Sequence, residues 1–432
     1  MSCSTDMAEL IQGPPPVSRI VMRRPRLRMI RTAEGKWSTE KLLPLPDATG
    51  DWPSSVVMEG VILEIIDPQK TPPSTLTLRD GDLHFELLSE SPPGFEEDEY
   101  VYQVRGSFRG DHLRKAEFQG LMGSHGEKWN FTGSAEALEI CPELQEALPP
   151  PWRSRLGALE GFRAQAGLRF KIDHDAGQAE PDRFEVTSRV VQGHSASPLL
   201  PFPLNDVEAR IVCNNQGVTV HELTASSGEA SFQLNGHWKG LSLGGPCSFQ
   251  FTGDAMTLDR KLLQYLPAGA QQAWDRFSPS GRFDVNVRAD FDGAQWKPDV
   301  NLTLRDVAFT SRDFPYPLRN AQGWIRLKED QLETDLTAYM GAEPLRIRSS
   351  ANVADLEAAS SLTIRGADLK LDEPFLAALP SGAGKVSRNT FPAPEGNAAK
   401  NGSSNFKSAP RIVSEDAASR SATFAELRIR NG

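Results

Sequence analysis

The sequence predicts an all-β protein of antiparallel strands, built from repeated units of about 115 residues with about one short helix each. Three observations predict it. Apolar residues recur with a period of two, long segments repeat one another in order, and helical patterns are short and few.

The period is plainest in RFDVNVRADF, where Phe283, Val285, Val287, Ala289 and Phe291 alternate with Arg282, Asp284, Asn286, Arg288 and Asp290. NLTLRD puts Leu302 and Leu304 on one face, FQLNGHW does so with Phe232, Leu234 and Trp238, and EPLRIRSSANV with Leu345 and Ile347. Such runs mark antiparallel strands with one apolar and one solvated face. Turn signals separate them: DAG at 175–177, NNQG at 214–217, DG at 292–293 and KEDQ at 328–331.

The repeat is carried by unusual strand openings. PFPLNDVEARIV starts at Pro201 and FPYPLRNAQGWIRL at Phe314. Proline cannot donate to a ladder, so it belongs at the first residue of a strand or on its edge. In register, Pro201, Phe202, Pro203 and Leu204 fall on Pro315, Tyr316, Pro317 and Leu318, and Ile211 and Cys213 fall on Ile325 and Leu327. Farther on, FTGDAMTLDRKLLQYLP (251–267) matches IRGADLKLDEPFLAALP (364–380), and FTGSAEALEICPELQEALP (131–149) fits with two extra residues. The helices follow these glycines. Asp259 and Asp372 are placed as N-caps, and AGAQQAWDRF extends or follows the first helix.

This divides the chain into a disordered segment (1–16), three β units (17–150, 151–267 and 268–380) and a disordered low-complexity tail (381–432). One short helix cannot cover the apolar face of five or six strands. That face must close on itself as a β-sandwich, join a continuous trough, or belong to a structural filament.

Composition narrows the function. A formal net charge of −10 excludes a general nucleic-acid binder. The one dense basic cluster is Arg23, Arg24, Arg26, Arg28 and Arg31, read as a solvated strand face or as a contact with lipid headgroups. Cysteines 3, 141, 213 and 247 lack zinc or thioredoxin spacing, and Cys213 and Cys247 sit in strand-like runs as small apolar residues. VVMEGVILEII is broken by Glu59 and Glu64 and is too short to span a membrane; MSCSTDMAELIQGPPP lacks the pattern of a secretory signal.

The seven histidines (84, 112, 125, 174, 194, 221 and 237) form no ligand spacing. DHDAG at 173–177 lacks the later ligands of a calcium loop and reads as a turn. GSHGEK at 123–128 has the wrong glycine spacing for a phosphate loop. No catalytic residue, metal site or cofactor is expected.

The elements RDVAF, FPYPL, GWI and GADLKLDEPFLAALP, in that order, resemble the AsmA-like family of bacterial envelope proteins. So do VMRRPRLRMIRTAEGKWSTEKLLP (21–44) and VILEIIDPQKTPPSTLTLRDGDLHFEL (62–87), and the resemblance covers roughly residues 17 to 383. It implies an extended curved antiparallel sheet, a repeating β-groove lined with apolar side chains that binds phospholipid acyl chains. The implied setting is a periplasmic protein, anchored in the inner membrane by an N-terminal helix and serving lipid transport and outer-membrane biogenesis. This chain lacks that helix and ends in a polar tail, so it reads as a piece of a longer protein. The expected lining is Ile211, Phe232, Leu234, Phe283, Val285, Val287, Leu302, Leu304, Ile325, Leu327, Leu345 and Ile347. The alternative is an envelope scaffold without cargo.

Overall fold

A computed structural model describes residues 19–32, 38, 54–68, 74–96, 99–147, 161–197, 200–241, 244–266, 268–312, 315–352 and 360–367, with short strands at 2–4, 411–414 and 424–431. The chain forms two compact units, Met1–Ala225 with His237–Gly245, and Ser226–Gly236 with Pro246–Gly432.

In the first unit, β1 (Ser2–Ser4) pairs antiparallel with β2 (Arg19–Arg23). Strands β2 and β3 (Arg26–Ile30) both run parallel to β4 (Ser55–Asp67). From there the chain is an antiparallel meander: β4, β5 (Ser74–Leu87), β6 (Val101–Gly110), β7 (Leu113–Gly123), β8 (Lys128–Ile140), β9 (Phe162–Asp175), β10 (Asp182–Ser195) and β11 (Leu204–Asn214) each pair with the next. A one-and-a-half-turn helix, α1 (Pro142–Ala147), separates β8 from β9. Strand β12 (Gly217–Ser227) follows, and β13 (Ala230–Lys239) is divided, its residues up to Gly236 belonging to the second unit.

In the second unit, β14 (Cys247–Thr257), β15 (Arg282–Phe291), β16 (Trp296–Thr310), β17 (Pro317–Lys328), β18 (Gln331–Met340), β19 (Glu343–Asn352) and β20 (Ser360–Ala367) continue the same neighbour-to-neighbour pattern. A 3-10 turn at Arg260–Tyr265 and helix α2 (Ala268–Phe277) lie between β14 and β15. Asp259 caps that turn as expected, its carboxylate accepting the N–H of Lys261 at 3.0 Å. Asp372 and the helix expected behind it lie outside the described residues.

The protein is thus all-β, an extended open antiparallel sheet with few helices. All described strands belong to one sheet. The closed two-sheet sandwich, one of the alternatives for each unit, does not form.

The proline-led strands acquire a structural meaning. Asp206 and Asn320 occupy equivalent repeat positions, and both adopt a left-handed backbone with φ of 50°. Each lies in a β-bulge at a register shift in its strand. Asp and Asn tolerate this conformation better than most residues. A bulge bends its strand and sharpens the twist. The glycine motif repeats the device: Ala137 (φ 49°) and Ala255 (φ 53°) bulge β8 and β14. The freed N–H of Ala255 is taken by the Asp284 carboxylate at 2.8 Å.

The last strands, β21 (Arg411–Ser414) and β22 (Phe424–Asn431), lie in the segment expected to be a disordered low-complexity tail. FAELRIRN does alternate, with Leu427 and Ile429 against Glu426, Arg428 and Arg430, and β22 pairs with β20.

Candidate functional site

Directly opposed residues of an antiparallel pair share a face, so the ladders show which expected lining residues come together. In the second unit one row runs Phe251, Val287, Val300, Leu327 and Leu332. The next runs Val285, Leu302, Ile325 and Thr334, and a third runs Met256, Phe283, Leu304, Gly323, Leu336 and Ile347. Leu345 faces Ala338 beyond them. Phe232 joins through its ring, stacked on Phe251 with centroids 6.1 Å apart, and Leu234 lies two residues along on the same side of β13. Ile211 belongs to the first unit. It faces Ser188 and packs on Ala164, Ala166, Val190 and Ala209.

The face in the second unit is closed at one end and open at the other. Phe283, Leu304, Leu336 and Ile347 are buried, as are Val307, Ala321, Ala338 and Leu345 behind them. Helix α2 lies against β16 here, burying Trp274 and setting Phe277 edge-on to Phe309 at 6.4 Å. Toward the β15–β16 turn, Ala289 and Cys247 are buried, while Val287, Val300, Leu302, Ile325, Leu327 and Leu332 stay half-buried. The rows end in three rings: Trp296 stacks on Phe291 at 4.9 Å and meets Phe249 edge-on at 5.9 Å. Trp296 is 54% exposed, the most open of the large apolar residues described.

The first unit treats its apolar face differently. Met58, Leu83, Gly106, Phe118, Gly133, Phe170 and Val186 form one row across it. Gly106 leaves room for the Phe118 ring and Gly133 for Phe170, with Gly81–Phe108 and Gly120–Phe131 repeating the arrangement, so that not even a methyl group fits at these glycines. The rings lie over the glycines, and those of Phe118, Phe131 and Phe170 are themselves only half-buried. Val61, Leu83 and Phe108 form the buried centre of this paving.

Sequence reasoning placed only Ile211 in this unit and missed the Phe residues. The available signal was glycine in a strand interior, which marks close approach by another group.

The opposite face carries ion pairs. Asp335 accepts both Arg346 (3.0 and 2.8 Å) and Arg348 (3.0 Å), and hydrogen bonding from Arg346 holds its carboxyl below the ordinary range. Asp306 is lowered likewise by Arg282. A depression is walled by Trp324, Asp335, Arg348 and Thr363 and reaches Thr334 and Ser349. Of the arginine cluster, Arg23 pairs with Glu59, and Arg26 and Arg28 share Glu64, which accords with a solvated strand face.

Chemistry-bearing side chains are few. The Cys141 sulfur lies 3.5 Å from His112 Nδ1, and Glu139 approaches the same nitrogen at 3.7 Å. Burial pushes this thiol up, so it stays protonated and weakly nucleophilic at neutral pH. Asp175 accepts the N–H of Gly177 at 3.2 Å, closing the turn expected at DHDAG. Among the described residues no group of three or more His, Cys, Asp or Glu side chains is placed to hold a metal, and no helix is long and apolar enough to cross a membrane.

No family model, curated protein or solved structure matches the chain. Fold and site therefore define its class by geometry alone: a single-layer antiparallel β protein with contiguous apolar rows, one stretch of them left half-open.

Proposed function

We propose that this chain is a non-enzymatic lipid-binding or lipid-transferring groove of the bacterial cell envelope, of the AsmA-like type. It serves phospholipid transport and outer-membrane biogenesis. Its full-length form is periplasmic and anchored in the inner membrane. The observation that carries this reading is the half-open set of rows through Val287, Leu302, Ile325 and Leu327, ending at exposed Trp296. Each methylene sheltered there gains about 0.8 kcal/mol over water, so an acyl chain laid along the rows is held without hydrogen bonds. Tryptophan suits the place where apolar chain gives way to wet headgroup.

The second reading, a scaffold without cargo, draws on the Gly–Phe paving of the first unit, which needs no guest. Native mass spectrometry after gentle purification separates the two. Phospholipid retained by the wild type and lost in Ile325→Asp, with the circular dichroism spectrum unchanged, supports a cargo groove. A wild-type protein free of lipid after isolation from membranes supports the scaffold.

A further inference from the structure

The face of the second unit opposite the apolar rows is polar almost throughout, and Trp324 stands within it, 43% exposed. The ladders put Thr303, Trp324, Asp335, Arg348 and Thr363 in one row across β16 to β20. Neighbouring strands lie about 4.8 Å apart, so the row from Trp324 to Thr363 spans about 14 Å. Glu333 and Ser350 face each other in the next row.

No aromatic or cationic side chain among the described residues stacks on this indole. Its neighbours keep hydrogen-bonding groups in reserve. Arg348 donates from Nε to Asp335 at 3.0 Å, and its terminal nitrogens have no partner among the described residues. Glu333 is exposed and unpaired among them, since Arg326 opposite it approaches Asp299 at 3.7 Å. The depression between these groups has a volume of about 280 Å³, at the small end of ligand clefts. Thr334 and Ser349, which it also reaches, engage each other's hydroxyls at 2.8 Å.

The repeat shows that the fold does not ask for an indole here. In the register that puts Ile211 on Ile325, Trp324 falls on Arg210. With one residue dropped, Leu345 and Ile347 fall on Phe232 and Leu234, and Arg348 falls on Asn235. The apolar face keeps its character in both copies, while the polar face exchanges arginine for tryptophan and asparagine for arginine.

We infer that this row is a saccharide-binding platform, which takes a β-linked pyranose oligosaccharide with one ring laid on Trp324. A pyranose with equatorial substituents is apolar on its C–H faces and polar around its rim. It therefore matches an indole face with donors and acceptors beside it. Arg348 donates to the rim hydroxyls and Glu333 accepts from them, both through charge-assisted hydrogen bonds. Arg346 and Arg348 balance Asp335 and Glu333, which favours a neutral sugar over an ionic ligand. The inference is independent of the lipid-groove reading, which concerns the other face.

Saturation-transfer NMR on the full chain tests this with cellohexaose and chitohexaose, both β-linked and extended, and with maltohexaose, whose axial links curl the chain. Transfer to the pyranose C–H protons of the β-linked probes is expected, with weaker binding of maltohexaose. Trp324→Ala is expected to lower affinity by about tenfold or more, Trp324→Phe to recover part of the loss, and Glu333→Ala to lower affinity by about two- to tenfold. Both positions are exposed, so the variants keep the wild-type circular dichroism spectrum. Three results overturn the platform: no transfer to either β-linked probe, binding unchanged in Trp324→Ala, or maltohexaose bound as tightly as the β-linked chains.

Discussion

The two units bury the same kind of face by different means. In the first, phenylalanine rings lie over glycines on the neighbouring strand, and the paving is complete enough to bury Val61 and Phe108. In the second, aliphatic residues make up the middle of the rows, with Phe251 and Phe283 among them and the rings of Phe249, Phe291 and Trp296 at one end. Helix α2 covers one end, and Leu302, Ile325 and Leu327 are left half-exposed at the other. A single-layer sheet can therefore shelter itself where flat rings meet glycines. The Val, Leu and Ile side chains of the second unit lie half-buried without rings laid over glycines beside them.

The largest contrast is expected from truncation. Phe108→Ala removes a buried ring from the paving and is expected to lower stability by about 3–5 kcal/mol, whereas Ile325→Ala in the half-open rows costs about 1–2 kcal/mol. Denaturant unfolding checks both, and equal losses would erase the distinction.

The repeat-equivalent glycines come next. An alanine at Gly133 meets the backbone carbonyl of Glu117 and the Phe170 ring, while at Gly253 it meets chiefly the flexible Met256 side chain. Gly133→Ala is expected to destabilise by about 2–3 kcal/mol and Gly253→Ala by less than about 1 kcal/mol.

Acid provides a smaller contrast. The Asp335 carboxyl is lowered, first by its hydrogen bonds from Arg346. Its contribution is present above the ordinary aspartate value near 4 and is lost as the pH falls below that toward the lowered folded-state value. Asp335→Asn is expected to remove that part of the acid limb, worth less than about 1 kcal/mol for so exposed a set of arginines.

The smallest effect belongs to α1. Glu143 is lowered to about 2 by a backbone hydrogen bond and by Arg163. Its tether to β9 therefore weakens only between about pH 4 and 2, a change seen as local amide exchange that Glu143→Gln abolishes.

Much of this was legible in the chain. RFDVNVRADF announced its strand and its buried face. NNQG and DG announced their turns, where Asn214 accepts the N–H groups of Gln216 and Gly217 and Asp292 those of Ala294 and Gln295. The paired proline-led strands pointed to a repeated device, and the bulges at Asp206 and Asn320 are that device. The lining residues of the second unit fell on one face because a period of two leaves no other choice once the meander forms.

What stayed hidden depends on register. Gly106 meets Phe118 only because β6 and β7 pair at that offset, and alternation within either strand does not reveal it. The parallel docking of β2 and β3 on β4 joins segments separated by about thirty residues with no short-range signal. The partial cover supplied by α2 likewise follows from packing, since AGAQQAWDRF announces a helix without saying which rows it meets.

The most direct measurement is photo-crosslinking in cell membranes with a benzophenone amino acid placed singly at Leu302 and at Phe118. Phospholipid adducts at position 302 and none at position 118 are the predicted result. No adduct at 302, or equal labelling at both positions, contradicts the account of a half-open face that takes acyl chains beside a face that seals itself.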